Sequence, residues 1–255
     1  MLHWSLIFLL LLSPVLAEPF ILKVTVAGVE RRALVFPGNE AYATPTPVVL
    51  AFHGFSGSHT SMATTRLHRA WPQATVVYPL GLPTFSQRHQ RNVPAWQPSP
   101  GRDGDRDVLF IDVLLEELRQ TMMVDSRRIF AAGLSNGALF CYVLLVERPR
   151  VFAGFAGVAG AVDFVRMATI PRPVLMIQGK NDMTVTAAAA QATRDLLLKI
   201  NGCGNGESVW SPGYISYEPC ASGQPVIWRL HDGGHDWPED ASGMIVKFFQ
   251  ELGNK

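Results

Sequence analysis

The chain has 255 residues, of which 48% are hydrophobic and 17% charged, and its formal net charge is +1. That length and apolar content are enough to bury a full-sized core, and one α/β domain is the natural reading of the size. No block or stripe of like charge stands out, which argues against nucleic acid or an anionic membrane surface as a partner.

Met1 to Ala17 holds an apolar run from Leu6 to Leu12 and closes on Val15-Leu16-Ala17 ahead of Glu18, a pattern that reads as a secretory signal peptide. His3 stands where a Lys or Arg is usual, and Pro19 follows the expected cut. The run is shorter than the ~20 residues a membrane-spanning helix needs, so an uncleaved anchor is the secondary reading. Residues 18–255 are then expected as a single secreted or periplasmic domain with no stable membrane association once the signal is removed.

Phe20 to Ala27 and Arg31 to Phe36 read as two strands joined through Gly28, a hairpin at a sheet edge. Val48 to Phe52 is a continuous apolar run, as expected for a strand covered on both faces, and it ends in His53-Gly54-Phe55-Ser56-Gly57. Ser61 to Trp71 has helical character, and Thr75 to Tyr78 is another short strand. From Leu80 to Asp105 no periodicity is visible and Pro, Gly, Arg and Gln gather around Trp96, so a long functional or mobile loop is expected. Ile111, Leu114, Leu115, Leu118 and Met122 recur at helical spacing, with Asp105 or Asp107 available as the N-cap.

The strand from Arg128 then leads into Gly133-Leu-Ser135-Asn-Gly137 and a helix to about Glu147, stopped by Pro149. Strands follow at Val151 to Val162, at Pro173 to Ile177 and at Val226 to Leu230, with helices from Ala187 to Ile200 and through Ile245, Phe248 and Phe249. This alternation implies a mostly parallel sheet with helices on both faces, whose ligand site lies beyond the carboxyl ends of the strands. That rule gathers His53, the Trp96 loop, Ser135, Asp182 and His235 at one edge.

Of the three cysteines, Cys203 and Cys220 flank one Gly-, Ser- and Pro-containing segment and are the expected disulfide, which would stabilise the fold by about 3 kcal/mol. Cys141 falls within the apolar helix and reads as a small buried hydrophobe.

By chance the bare G-x-S-x-G spacing should occur in about one chain in ten of this length, so context must carry it. Strand before and helix after put Ser135 on a sharp turn with its hydroxyl exposed. A serine hydroxyl needs a base within hydrogen-bond reach and a third group to hold that base. The order Ser, Asp, His is that of α/β-hydrolases, and Ser135, Asp182 and His235 satisfy it, each just after an expected strand. His235, in a Gly-Gly-flanked loop, is preferred to His231 at a strand end; Asp182 is preferred to Asp163, Asp232 and Asp236. The N–H of Asn136 and the N–H of Phe55 are the expected oxyanion donors, and His53 reads as a structural loop residue.

His53 to Gly57, Trp96-Gln97, Asp107 at its helix, GLSNG, the Gly179 to Asp182 turn, Asn201-Gly202-Cys203 and Gly233 to Pro238 together resemble the secreted esterases grouped as polyhydroxybutyrate depolymerase, feruloyl esterase and acetylxylan esterase. The resemblance covers Val48 to Phe249 and implies an α/β-hydrolase fold with a Ser135–His235–Asp182 triad, a small or polymeric ester as substrate, and no metal or organic cofactor. Three departures from the family pattern stand out: Ala138 in place of a second Gly, Gln178 in place of a frequent His, and Met183 in place of a frequent Pro. The short link between Val162 and Pro173 has no residues for the lid domain many α/β-hydrolases carry there, which implies an open site. Trp96 and Trp237 stand where they could wall that site or simply pack. Arg88, His89 and Arg91 form either a solvated loop face or a lure for an acidic sugar.

Overall fold

A computed structural model describes residues 18–87 and 89–253; the expected signal segment and Arg88 lie outside the described residues. Strands β1 (Phe20–Val26), β2 (Val29–Phe36), β3 (Thr46–Phe52) and β4 (Thr75–Pro79) come first, with short helices α1 (His59–Ala63) and α2 (Leu67–Ala70) between the last two. The hairpin β5 (Leu82–Ser86) and β6 (Arg91–Ala95) precedes α3 (Arg106–Thr121), β7 (Val124–Leu134) and α4 (Asn136–Glu147). Then come β8 (Gly154–Val158), β9 (Val174–Gly179), α5 (Ala187–Asn201), β10 (Cys203–Ser211), β11 (Tyr214–Cys220), β12 (Val226–His231) and α6 (Ala241–Gly253).

Ten strands form one sheet in the order β1-β2-β4-β3-β7-β8-β9-β12-β11-β10. From β4 to β12 every neighbouring pair is parallel, and antiparallel pairs close both ends. Every residue of β3 is buried, because the sheet is covered on both sides. Along that strand Val48, Leu50 and Phe52 join one core with α3, α4 and α5, while Val49 and Ala51 join the other with α1, α2 and α6. The two-residue period of the strand thus feeds two cores. This is the α/β-hydrolase fold, with a mostly parallel central sheet.

Three local expectations are corrected, and the Cys203 to Cys220 segment takes a form the sequence did not specify. The Ser61 to Trp71 helix is broken in two, because Thr64 and Thr65 turn their hydroxyls back onto the Ser61 and Met62 carbonyls at 2.7 Å each, and Arg66 takes a left-handed conformation. The Leu80 to Asp105 stretch is not one loop, since it contains the β5–β6 hairpin; Pro83 opposes Pro94 in it, two residues that cannot donate to a ladder and so hide a strand from a sequence reading. Cys203 to Cys220 is also a hairpin, with the two cysteines as register partners joined by a disulfide. Neither aspartate caps α3 with its side chain: Asp105 accepts from Gln97 Nε2 and the Gly101 N–H, and Asp107 is engaged by Arg31 and the Gln97 N–H.

Candidate active site

Parallel neighbours β3, β7, β8, β9 and β12 end at the same edge, and the loops leaving four of them carry His53, Ser135, Asp182 and His235. Ser135 is the pivot between β7 and α4, with φ 54° and ψ −118°, a region that non-glycine residues seldom occupy. The turn is held by the Ser135 N–H donating to the Val158 carbonyl at 2.9 Å. It also needs Gly137, where a Cβ would sit 2.2 Å from the Phe52 carbonyl oxygen. Ala138 is fully buried, and a Cβ at Gly160 would come within 2.5 Å of its own Cβ, so this pair meets closely where the departure from the family pattern lies.

His235 Nε2 lies 2.8 Å from Ser135 Oγ, and its Nδ1 lies 2.8 Å from Asp182 Oδ2. A carboxylate only accepts, so Nδ1 carries the proton and Nε2 is left to accept from the serine hydroxyl. The Asp182 side chain is fully buried, while that of His235 is 26% exposed toward the cleft. Burial pushes the Asp182 carboxyl up, but the Val185 and Thr184 N–H groups, His235 and Gln178 all donate to it and hold it below the ordinary carboxylate range. Gln178 is therefore a partner of the acid, bonded to it at 3.1 Å and to the Val185 carbonyl at 2.8 Å. Met183, at 93% exposure, does not pack against it.

His53 is buried and keeps its imidazole neutral: burial lowers its proton affinity, Nε2 accepts from the Gly81 N–H at 3.0 Å, and Nδ1 donates to the Gly54 carbonyl at 2.7 Å. The chain beyond it exposes Phe55, whose N–H has no acceptor among the described residues. Asn136 is the first residue of α4, so its N–H is one of the donors that a helix leaves unpaired. A cleft of about 520 Å³ opens here, with Ser135 and His235 on its floor and Phe55, His89, Leu134 and Thr184 among its walls. His89 stacks on Phe55, centroids 6.3 Å apart, and so belongs to the wall.

Trp96 and Trp237 do not line this cleft. Trp96 is 2% exposed, stacked on Phe140 at 5.1 Å and against Phe52 at 5.2 Å, and its indole donates to the His53 carbonyl. Trp237 packs on the second core and donates to Ser242 Oγ. Both have a buried structural partner for the indole N–H, as a Trp beside a turn commonly does. The sequence reading missed Leu134 and Thr184 as wall residues and the Asn136 side chain as a structural tie, since these roles depend on backbone placement. Between β8 and β9 only a 3₁₀ turn, Phe164–Met167, is inserted.

The prolyl oligopeptidase family model matches residues 106–172. In sequence the chain is 25% identical to feruloyl esterase D of Neurospora crassa over 137 residues, covering 51% of this chain and 47% of that protein. It is 27% identical to feruloyl esterase C of Emericella nidulans over 135 residues, covering 51% of this chain and 50% of that one. The matched stretch thus spans about half the length of these relatives. In structure the chain is similar to an acetyl xylan esterase from Aspergillus awamori, with a TM-score of 0.68, 15% identity, and coverage of 91% of this chain and 99% of that one. That likeness is one of fold.

Proposed function

We propose that this chain is an exported serine carboxylic-ester hydrolase in which Ser135, His235 and Asp182 form the catalytic triad. The observation that carries the reading is the unbroken line of two 2.8 Å hydrogen bonds from Asp182 through His235 to Ser135, opening onto a cleft. Ser135 Oγ attacks the ester carbonyl as His235 Nε2 takes its proton, and Asp182 stabilises the imidazolium that forms. The Phe55 and Asn136 N–H groups receive the oxyanion. His235 then protonates the departing alcohol, and water releases the acyl group by the same route. This chemistry draws on no metal or organic cofactor.

The substrate class is an acyl or aryl ester of plant polysaccharide, of feruloyl or acetyl type. The feruloyl esterases among the sequence relatives support it, as does a cleft walled by the stacked Phe55 and His89, which offers an aromatic acyl group a flat partner. A polyhydroxybutyrate-type polyester is the second substrate class, favoured by the short β8–β9 connection that leaves the cleft uncovered. Export is supported by the Met1 to Ala17 pattern and by the oxidised Cys203–Cys220 pair.

The test is hydrolysis of 4-nitrophenyl acetate and butyrate by the wild type and Ser135→Ala. A wild-type rate at least 10³-fold above that of the variant is expected. Equal, near-background rates would end the esterase reading and leave a silent glycan- or polyester-binding protein. Methyl ferulate, acetylated xylan and polyhydroxybutyrate, run side by side, then separate the substrate classes.

A further inference from the structure

The stretch Pro94–Gln97, at the end of β6, touches the nucleophile turn and the oxyanion loop at once. On one side the Ser56 N–H donates to the Pro94 carbonyl at 2.9 Å, and Trp96 Nε1 donates to the His53 carbonyl at 3.0 Å. These ties bracket Phe55 on both sides. On the other side the Asn136 side chain makes a reciprocal pair with one residue's backbone: its Oδ1 accepts from the Trp96 N–H at 2.8 Å and its Nδ2 donates to the Trp96 carbonyl at 3.1 Å. A side-chain amide presents an N–H donor and a carbonyl acceptor side by side in one plane, so it can imitate the two-bond pairing of neighbouring strands; a carboxylate loses the donor and a methyl loses both.

The stretch is itself anchored. The Gln97 N–H donates to Asp107 Oδ2 at 2.7 Å, Gln97 Oε1 accepts from the Asp107 N–H at 3.2 Å, and Arg31 closes the group on Asp107 Oδ1 at 2.7 Å. Arg31, Gln97 and Asp107 are all at most 2% exposed. Gly81 lies so close beneath that a Cβ there would be 2.6 Å from the Ala95 carbonyl oxygen. The two proposed oxyanion donors come from separate loops, after β3 and after β7, and Pro94–Gln97 is bonded to both.

We infer that the Asn136 side chain is a positioning residue for acyl transfer: by locking the end of β6 to the nucleophile turn it sets the separation of the Phe55 and Asn136 N–H groups. This rests on the esterase reading of the site. The side chain does not touch substrate; its effect passes through the backbone of Trp96 to the oxyanion loop. Because the tie matters where negative charge develops on oxygen, its loss is felt in the transition state and little in the ground state.

The test compares wild type, Ser135→Ala, Asn136→Ala and the near-isosteric Asn136→Asp on 4-nitrophenyl butyrate, with thermal melting to establish folding. For both Asn136 variants kcat is expected to fall about 10- to 100-fold with KM within about twofold. The inhibition constant of a butyl boronic acid, which mimics the tetrahedral state, should rise by the same factor as kcat/KM falls, and that of butyramide should stay put. Amide hydrogen exchange supplies a readout independent of turnover: the Trp96 N–H should lose protection in Asn136→Ala. A folded variant with kcat within twofold of wild type overturns the inference, as does a loss carried wholly by KM or unmatched by the boronic acid. Wild type without Ser135-dependent hydrolysis ends the esterase reading and this inference together, whereas an active wild type with an equally active Asn136→Ala ends this inference alone.

Discussion

Two hairpins interrupt the β/α alternation of this chain, and they are held in opposite ways. The β5–β6 hairpin stands apart from the main sheet and is joined to it by buried polar ties through Pro94, Trp96 and Gln97. The β10–β11 hairpin extends the main sheet at its edge and is closed by the Cys203–Cys220 bond. One reports to the strand ends where Ser135 lies; the other reports to a ladder far along the sheet order from β7. The lesson is that similar local architecture can serve geometry in one place and stability in another, and the kind of bond tells which.

The largest effect should come from Asp107→Ala. It leaves Arg31 buried without its carboxylate and frees the Gln97 N–H, and about 3–5 kcal/mol of stability is expected to go, together with activity, by denaturant unfolding. Opening the other hairpin by Cys203→Ser with Cys220→Ser should cost about 3 kcal/mol in the same measurement while kcat stays within twofold. A matching fall in kcat there would erase the contrast between the two hairpins. Trp96→Phe keeps most of the ring packing and removes one hydrogen bond to the His53 carbonyl, so a loss of about 1 kcal/mol is expected with a severalfold drop in kcat.

The smallest effect is a pH dependence. Burial holds the His53 imidazole below its ordinary value of 6.5, so the folded state prefers it neutral. Its contribution is therefore complete above pH 6.5 and is lost as pH falls through the lower folded-state value. Melting temperatures of wild type should drop relative to His53→Gln as the pH is taken below 6.5; parallel curves would show that this loop histidine is not coupled to stability.

Much of this arrangement was legible in the chain before its fold was known, for identifiable reasons. Val48–Phe52 and the run into Leu134 are continuous apolar strands because the sheet is covered on both faces, and the topology then brings the residues that follow them to one edge. The residue read as base lies within hydrogen-bond distance of both the one read as nucleophile and the one read as acid. What stayed hidden was carried by backbone atoms. Nothing in the identity of Pro94 or Trp96 announces that their peptide groups hold Ser56 and Asn136, and Pro83 opposite Pro94 masks the strand that places them. The two tryptophans misled for a related reason: a large ring beside a turn fits a cleft wall and a core equally well until its burial is known.

Phe55 unites two proposed duties on one residue, its N–H as an oxyanion donor and its ring, stacked with His89, as part of the cleft lining. On the proposed mechanism those duties are separable, because the first belongs to a backbone pinned at His53 and Ser56 and the second to a side chain 41% exposed. On that mechanism, varying Phe55 to any residue that keeps a backbone N–H, together with His89, should change acyl preference while the oxyanion donor is retained, which makes this pair the natural starting library for altering ester selectivity.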